Sequence, residues 1–218
     1  MRYIGFEGPI GAGKTTLVRA LEQRLNGKVI LEQADENPFL ERFYQDKERY
    51  AFQAQIFFLL SRYQQQRQIL QGDLFHEYFL GDYVFSRDTI FARMTLSEDE
   101  LGLYSTIYNA LVEQIPQPDL VVYLRAKPET LMERVRMRGK DYEAAMTLDY
   151  LRELCGIYEE FFRHYDDTPL LILDTDEFNY RSDPDELSRV CDLVMETLNR
   201  HISAREMASM TPSEVPTS

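Results

Sequence analysis

Gly8-Pro9-Ile10-Gly11-Ala12-Gly13-Lys14-Thr15 fits GxxxxGK[ST] at every fixed position, and its neighbours supply the setting that this pattern needs. Tyr3–Glu7 before it reads as a short apolar strand, and Lys14–Leu25 after it has helical spacing. A bare turn would not require Lys and Thr together at its end. The glycines let the backbone curl so that several N–H groups converge on phosphate oxygens, with the positive end of the helix behind them. In such a loop Lys14 would hold the β- and γ-phosphates of ATP and the Thr15 hydroxyl would ligate Mg²⁺, with Thr16 beside it.

Outward from the loop, short β-rich runs alternate with longer helical patterns, the signature of parallel βαβ units. Further strands are expected at Lys28–Glu32, Leu80–Val84, Leu120–Leu124 and Leu170–Asp174, the last two nearly continuous apolar runs that suit strands covered on both faces. Further helices are expected at Arg49–Leu70, Glu98–Gln114, Pro128–Arg138, Leu148–His164 and Pro184–His201. The fold class is therefore α/β, a five-stranded parallel sheet flanked by helices. The stretch Tyr50–Leu70 carries Phe57 and Phe58 besides Phe52, Ile56, Leu59, Leu60 and Tyr63, so its helix needs cover on several sides, from the core or a second subunit.

The chain has 218 residues with 44% hydrophobic side chains, the size and composition of one folded domain, expected over residues 1–202. Residues 203–218 turn to Ser, Thr, Met, Pro and Glu, a composition expected to be disordered. A net charge of −13 would repel a phosphate backbone, which argues against nucleic acid as a partner and confines any bound polyanion to a local basic cluster. No apolar run reaches the ~18 residues of a membrane span, and no signal-peptide pattern opens the sequence. Cys155 and Cys191 have no metal or redox spacing and suit reduced thiols, so a soluble cytoplasmic protein is expected.

In a parallel sheet, ligands collect outside the carboxyl ends of the strands, so Glu32 should face the phosphate pocket. There it could act as general base toward a hydroxyl that attacks the γ-phosphate, or be a plain strand-end carboxylate. Glu32 is followed by Asn37-Pro38-Phe39-Leu40-Glu41-Arg42-Phe43-Tyr44, by Phe52-Gln53-Ala54-Gln55 and by Ser61-Arg62. This order, together with the phosphate loop and Glu143, resembles the deoxynucleoside kinases of the deoxyadenosine, deoxyguanosine and deoxycytidine group, and is most similar to the bacterial branch. The resemblance runs from Arg2 to about Phe178.

The resemblance implies that Glu32 receives the proton of the sugar 5′-hydroxyl, that Tyr44 and Glu143 bind the 3′-hydroxyl, that Gln55 reads the base edge, and that Arg62 belongs to the same substrate site. Phe39, Phe52 and Phe58 are candidates to stack on the base, or plain core. In Glu133-Arg134-Val135-Arg136-Met137-Arg138-Gly139-Lys140, Arg134 and Arg138 share one helical face, and by resemblance they form a lid over the transferred phosphoryl group. Without the resemblance, they could equally be cations favoured at a helix end. Asp176-Glu177-Phe178 occupies the place of the loop that touches adenine. The family's acidic-Arg-Ser triplet is Asp82-Tyr83-Val84 here. Asp82 would still position magnesium or assist Glu32, Asp88 matches the acid that faces the base, and Arg87 is the candidate for the missing guanidinium. The family also implies a homodimer through helices placed like Arg49–Leu70 and Glu98–Gln114. The alternatives are a nucleoside monophosphate kinase of the thymidylate kinase type, or a nucleotide-binding regulatory module without catalysis.

Overall fold

In the computed structural model, which describes residues 1–70, 75–178 and 183–210, five strands form one parallel sheet. They are β1 (Arg2–Glu7), β2 (Lys28–Ile30), β3 (Tyr78–Gly81), β4 (Leu120–Arg125) and β5 (Leu170–Asp174), in the order β2-β3-β1-β4-β5. β1 is central, in register with β3 on one side (Gly5 against Gly81) and β4 on the other (Glu7 against Tyr123). The helices are α1 (Lys14–Leu25), α2 (Leu40–Gln45), α3 (Lys47–Leu70), α4 (Arg87–Thr95), α5 (Glu98–Val112), α6 (Pro128–Arg138), α7 (Leu148–Arg163) and α8 (Pro184–Met210).

The main core joins Ile4, Phe6 and the run Leu120–Leu124 of the sheet to Leu17, Val18 and Leu21 of α1, Val194 and Leu198 of α8, and Leu151, Leu154 and Tyr158 of α7. A smaller cluster, with Ile69 of α3 against Tyr3, Ile30, Phe79 and Tyr83, lies under α3. β4 reads as a continuous apolar run because both its faces are covered in this way.

Two strands stop short of their expected ends, and both stops matter for the site. β2 ends at Ile30 and β3 at Gly81, so Glu32 and Asp82 stand beyond the sheet. Asp82 supplies the reason: its Oδ1 accepts the Glu32 N–H at 2.7 Å, replacing a ladder bond with a side-chain bond. At the other end of the chain, α8 runs through Met210 rather than ending near His201. Ala204, Arg205, Glu206 and Met207 are strong helix formers, and Arg2 pairs with Glu206 at 3.5 Å, so the helix enters the stretch where disorder is expected from residue 203. Residues 211–218 lie outside the described residues.

Local signals fix the helix ends that shape the site. Gly13, with φ at 98°, leads into α1, and Pro128 at the first turn starts α6. Gly139 stops α6 in the left-handed conformation at φ 66°, and the tight turn Asp141–Glu143 that follows brings Glu143 back onto Arg138.

Candidate active site

A cavity of about 810 Å³ opens at the carboxyl ends of the strands. Its floor is the phosphate loop and the first turn of α1, from which Ile10, Gly11, Gly13, Lys14, Thr15 and Thr16 line it. Gly8, Pro9 and Ala12 shape the loop from behind. Gly8 has φ +148° and lies so close to β4 that a Cβ would sit 2.2 Å from the Leu124 carbonyl oxygen, so the loop requires glycine there. The Lys14 ammonium donates to the carbonyls of Gly8 (2.6 Å) and Pro9 (3.1 Å), which keeps the loop curled. Burial, with Arg87 nearby, pulls Lys14 down to about 8.

Above this floor stands a chain of charges that periodicity could not reveal. Arg62 on α3 donates to Glu32 and to Asp88, and Arg87, first residue of α4, donates to the second Glu32 oxygen at 2.7 Å. Burial alone would raise the Glu32 carboxyl, but Arg62 and Arg87 outweigh it and hold the group well below the usual carboxylate range. Asp88, expected to match the acid that faces the base, is fully buried behind Arg62 and is not among the residues lining the ligand-free cavity. Burial pushes Asp88 up to about 6, with Arg62 opposing, and its Oδ2 has no partner among the described residues. Asp82 bridges the two halves of the floor: besides the Glu32 N–H, it accepts the Thr15 hydroxyl at 3.0 Å. Burial raises Asp82, and the nearby Glu32 charge adds to this.

At the far end, Gln55 and Arg62 lie two helical turns apart on the same face of α3, and both line the cavity with Phe58, Leu40, Tyr44, Glu143 and Tyr150. That face explains why α3 buries Gln55 and Arg62 among apolar residues, whereas Gln65 and Gln66 are buried on bonds to Gln33 and Tyr83 and to Tyr3. Gln55 donates to Thr95 at 3.3 Å while its buried carbonyl oxygen has no partner among the described residues, an open acceptor that a ligand can fill. Of the three phenylalanines considered for stacking, Phe58 lines the cavity, whereas Phe52 packs toward α5 and Phe39 toward α2 and α3, as core.

On the open side, Arg138 grips Glu143 with two hydrogen bonds, and Lys140 pairs with Asp35 at 2.9 Å across the mouth. Arg134 donates at 2.8 Å to both the hydroxyl and the carbonyl of Thr175, tying α6 to the segment after β5. From that segment Phe178 lines the cavity, but Asp176 turns away to accept the Lys127 N–H at 2.8 Å, and Glu177 does not line it. Tyr83, where the family triplet has arginine, is buried with its hydroxyl donating to Gln65 at 2.6 Å. Arg87, four residues further along, places its guanidinium in the cavity wall against Glu32.

Two residues were not singled out by the sequence. Tyr150 lines the cavity with a buried hydroxyl that has no partner among the described residues, and nothing in the sequence sets it apart from the other aromatics of α7. Glu7 is a fully buried carboxylate at the end of β1; a charge closing an otherwise apolar strand was the available signal.

The cavity joins the glycine-rich loop to a pocket lined by polar and aromatic side chains. The family model for deoxynucleoside kinase matches residues 4–199. The chain is 37% identical to a deoxyguanosine kinase of Bacillus subtilis (strain 168), over 72% of this chain and 76% of that one. It is 31% identical to a deoxyadenosine/deoxycytidine kinase of the same organism, over 88% and 91%. Among solved structures, a deoxyadenosine kinase from M. mycoides with the products dCMP and a flexible dCDP bound superimposes with a TM-score of 0.77 at 26% identity, covering 91% of this chain and 99% of that one. The same enzyme with bound dATP gives 0.77 at 27% identity, covering 91% and 100%. With its P-loop kinase fold, the chain therefore belongs to the deoxynucleoside kinase family and is an enzyme that phosphorylates deoxynucleosides.

Proposed function

We propose that the enzyme transfers the γ-phosphoryl group of ATP to the 5′-hydroxyl of a deoxynucleoside. One observation carries the reading: a single cavity runs from the phosphate loop to Gln55, Tyr44 and Glu143, with Glu32 on its wall between the two ends. A sugar lying against Tyr44 and Glu143, with its base toward Gln55, turns its 5′-hydroxyl to Glu32. Phosphoryl transfer through a loose transition state asks more for positioning than for a strong base. A carboxylate held charged by Arg62 and Arg87 meets that demand, since it is always ready to accept the hydroxyl hydrogen bond and takes the proton late. Arg138 and Arg134, on one face of α6, form the lid, with Arg138 exchanging part of its bond to Glu143 for phosphoryl oxygens.

The Thr15 hydroxyl and the Asp82 carboxylate, 3.0 Å apart, fit Mg²⁺: both are hard oxygen donors, and this ion takes few protein ligands when phosphates supply the rest. When bound it neutralises charge on the phosphates. Leu60 and Leu103, 43% and 54% exposed on α3 and α5, support a homodimer through these helices. The free thiols of Cys155 and Cys191 support a reducing compartment, the cytoplasm.

The test is phosphoryl transfer from labelled ATP to the four deoxynucleosides, their ribose forms and their 5′-monophosphates. Deoxynucleoside 5′-monophosphate is the expected product. Transfer confined to monophosphate acceptors would overturn the reading.

A further inference from the structure

We propose that Glu7 is a positioning residue for phosphoryl transfer, its carboxylate fixing the phosphate loop against the segment that carries Asp82 and Arg87. Glu7 ends β1 and is wholly enclosed. Its Oε2 accepts the N–H of Gly8, first residue of the phosphate loop, at 3.0 Å, and its Oε1 accepts the N–H of Val84 at 2.9 Å. Val84 lies between Asp82 and Arg87, so one rigid group spans the two main-chain segments that must keep a fixed separation. A third donor, the Tyr158 hydroxyl of α7, reaches Oε2 at 3.1 Å. The Tyr158 ring is stacked on Tyr123 with centroids 6.0 Å apart, so the carboxylate is itself held in place.

Three donors converging on two oxygens call for a group that only accepts. An amide would turn its NH₂ toward one of these donors and release either Gly8 or Val84. Burial raises Glu7, while Arg87 and Lys14 favour its charge from the cavity side. The same two segments meet once more at the surface, where the Thr15 hydroxyl donates to Asp82 at 3.0 Å. That outer link uses the very hydroxyl read above as a cation ligand, whereas the inner link through Glu7 is made of groups with no other task.

The inference rests on the reading of Lys14, Thr15, Asp82 and Arg87 as phosphoryl-transfer groups, and its test separates the two. Glu7→Gln is compared with the parent enzyme well below both unfolding midpoints, measuring kcat, the ATP and deoxynucleoside dissociation constants and the midpoint itself. Because misplacement by about 1 Å can cost roughly a hundredfold in rate, kcat should fall at least tenfold while deoxynucleoside affinity stays within about threefold. A purely structural Glu7 would lower the midpoint and leave kcat of the folded variant unchanged; that result overturns the proposal without touching the proposed reaction. Absence of transfer by the parent enzyme would instead defeat the reaction. Should Glu7→Gln not fold, amide hydrogen exchange on the parent decides. The Gly8 and Val84 amides should share one opening event with equal protection, and a more than tenfold difference between them would overturn the shared tie.

Discussion

Replacing Arg62 with Met should destabilise the protein in proportion to pH, because one guanidinium lets two carboxylates coexist at the inner wall of the cavity. Arg62 is 3% exposed and bonds both Glu32 and Asp88, which is 0% exposed. Methionine keeps the length and much of the packing against Phe58 and Tyr83 while removing the charge. Glu32 retains Arg87 at 2.7 Å, whereas Asp88 has no other hydrogen-bonded cation among the described residues. Burial already raises Asp88 from 3.8 to about 6, and without Arg62 it must climb further. A carboxyl raised in the folded state contributes stability that is fully present below its unfolded pKa and lost as pH rises through the folded one. In the parent, that loss is complete just above pH 6; in the variant, it continues upward. By pH 8 the difference is at most about two units at about 1.4 kcal/mol each, or about 3 kcal/mol, and at pH 5 it nearly vanishes because Asp88 is mostly protonated in both. For a chain this size, that is about 6–12 °C in midpoint. Thermal unfolding at pH 5 and pH 8 measures it, and adding Asp88→Asn should cancel the pH-dependent part. A loss of equal size at both pH values, or one larger at pH 5, would refute the argument.

Two further outcomes follow from the geometry. Gly8→Ala forces a Cβ to 2.2 Å from the Leu124 carbonyl at a φ of +148°, so it should cost more than about 3 kcal/mol and abolish ATP binding; calorimetry on a variant with parental stability and affinity would contradict this. Tyr150→Phe removes a hydroxyl with no partner among the described residues, so the unfolding midpoint should hardly move. The deoxynucleoside KM should nevertheless rise about threefold to tenfold, the worth of one hydrogen bond, and an unchanged KM would mean that this hydroxyl meets no ligand.

The scaffold was legible because its signals are local. The phosphate loop sits between a strand and a helix, Pro128 and Gly139 bracket α6, and the apolar run Leu170–Asp174 is β5 as expected. What escaped was short or polar. The six residues of α2 are too few to show a period, and α4 buries Arg87 and Asp88, whose charges break any apolar stripe. Those residues are where local rules yield to the site. Position at a strand end pointed to Glu32, and the family resemblance to Gln55 and Arg62, but the pairing of Arg62 and Arg87 on one carboxylate depends on where β2 and β3 end. The retreat of Asp88 behind Arg62 depends on the packing of α3 against α4, which no run of residues encodes alone.

The most direct test of the account is Glu32→Gln, assayed for kcat and for deoxynucleoside dissociation constant in a variant shown to be folded. Removing a group that accepts the hydroxyl proton should lower kcat by roughly a hundredfold or more and leave affinity within a few fold. Turnover within twofold of the parent would contradict the assignment of Glu32 as the acceptor of that proton.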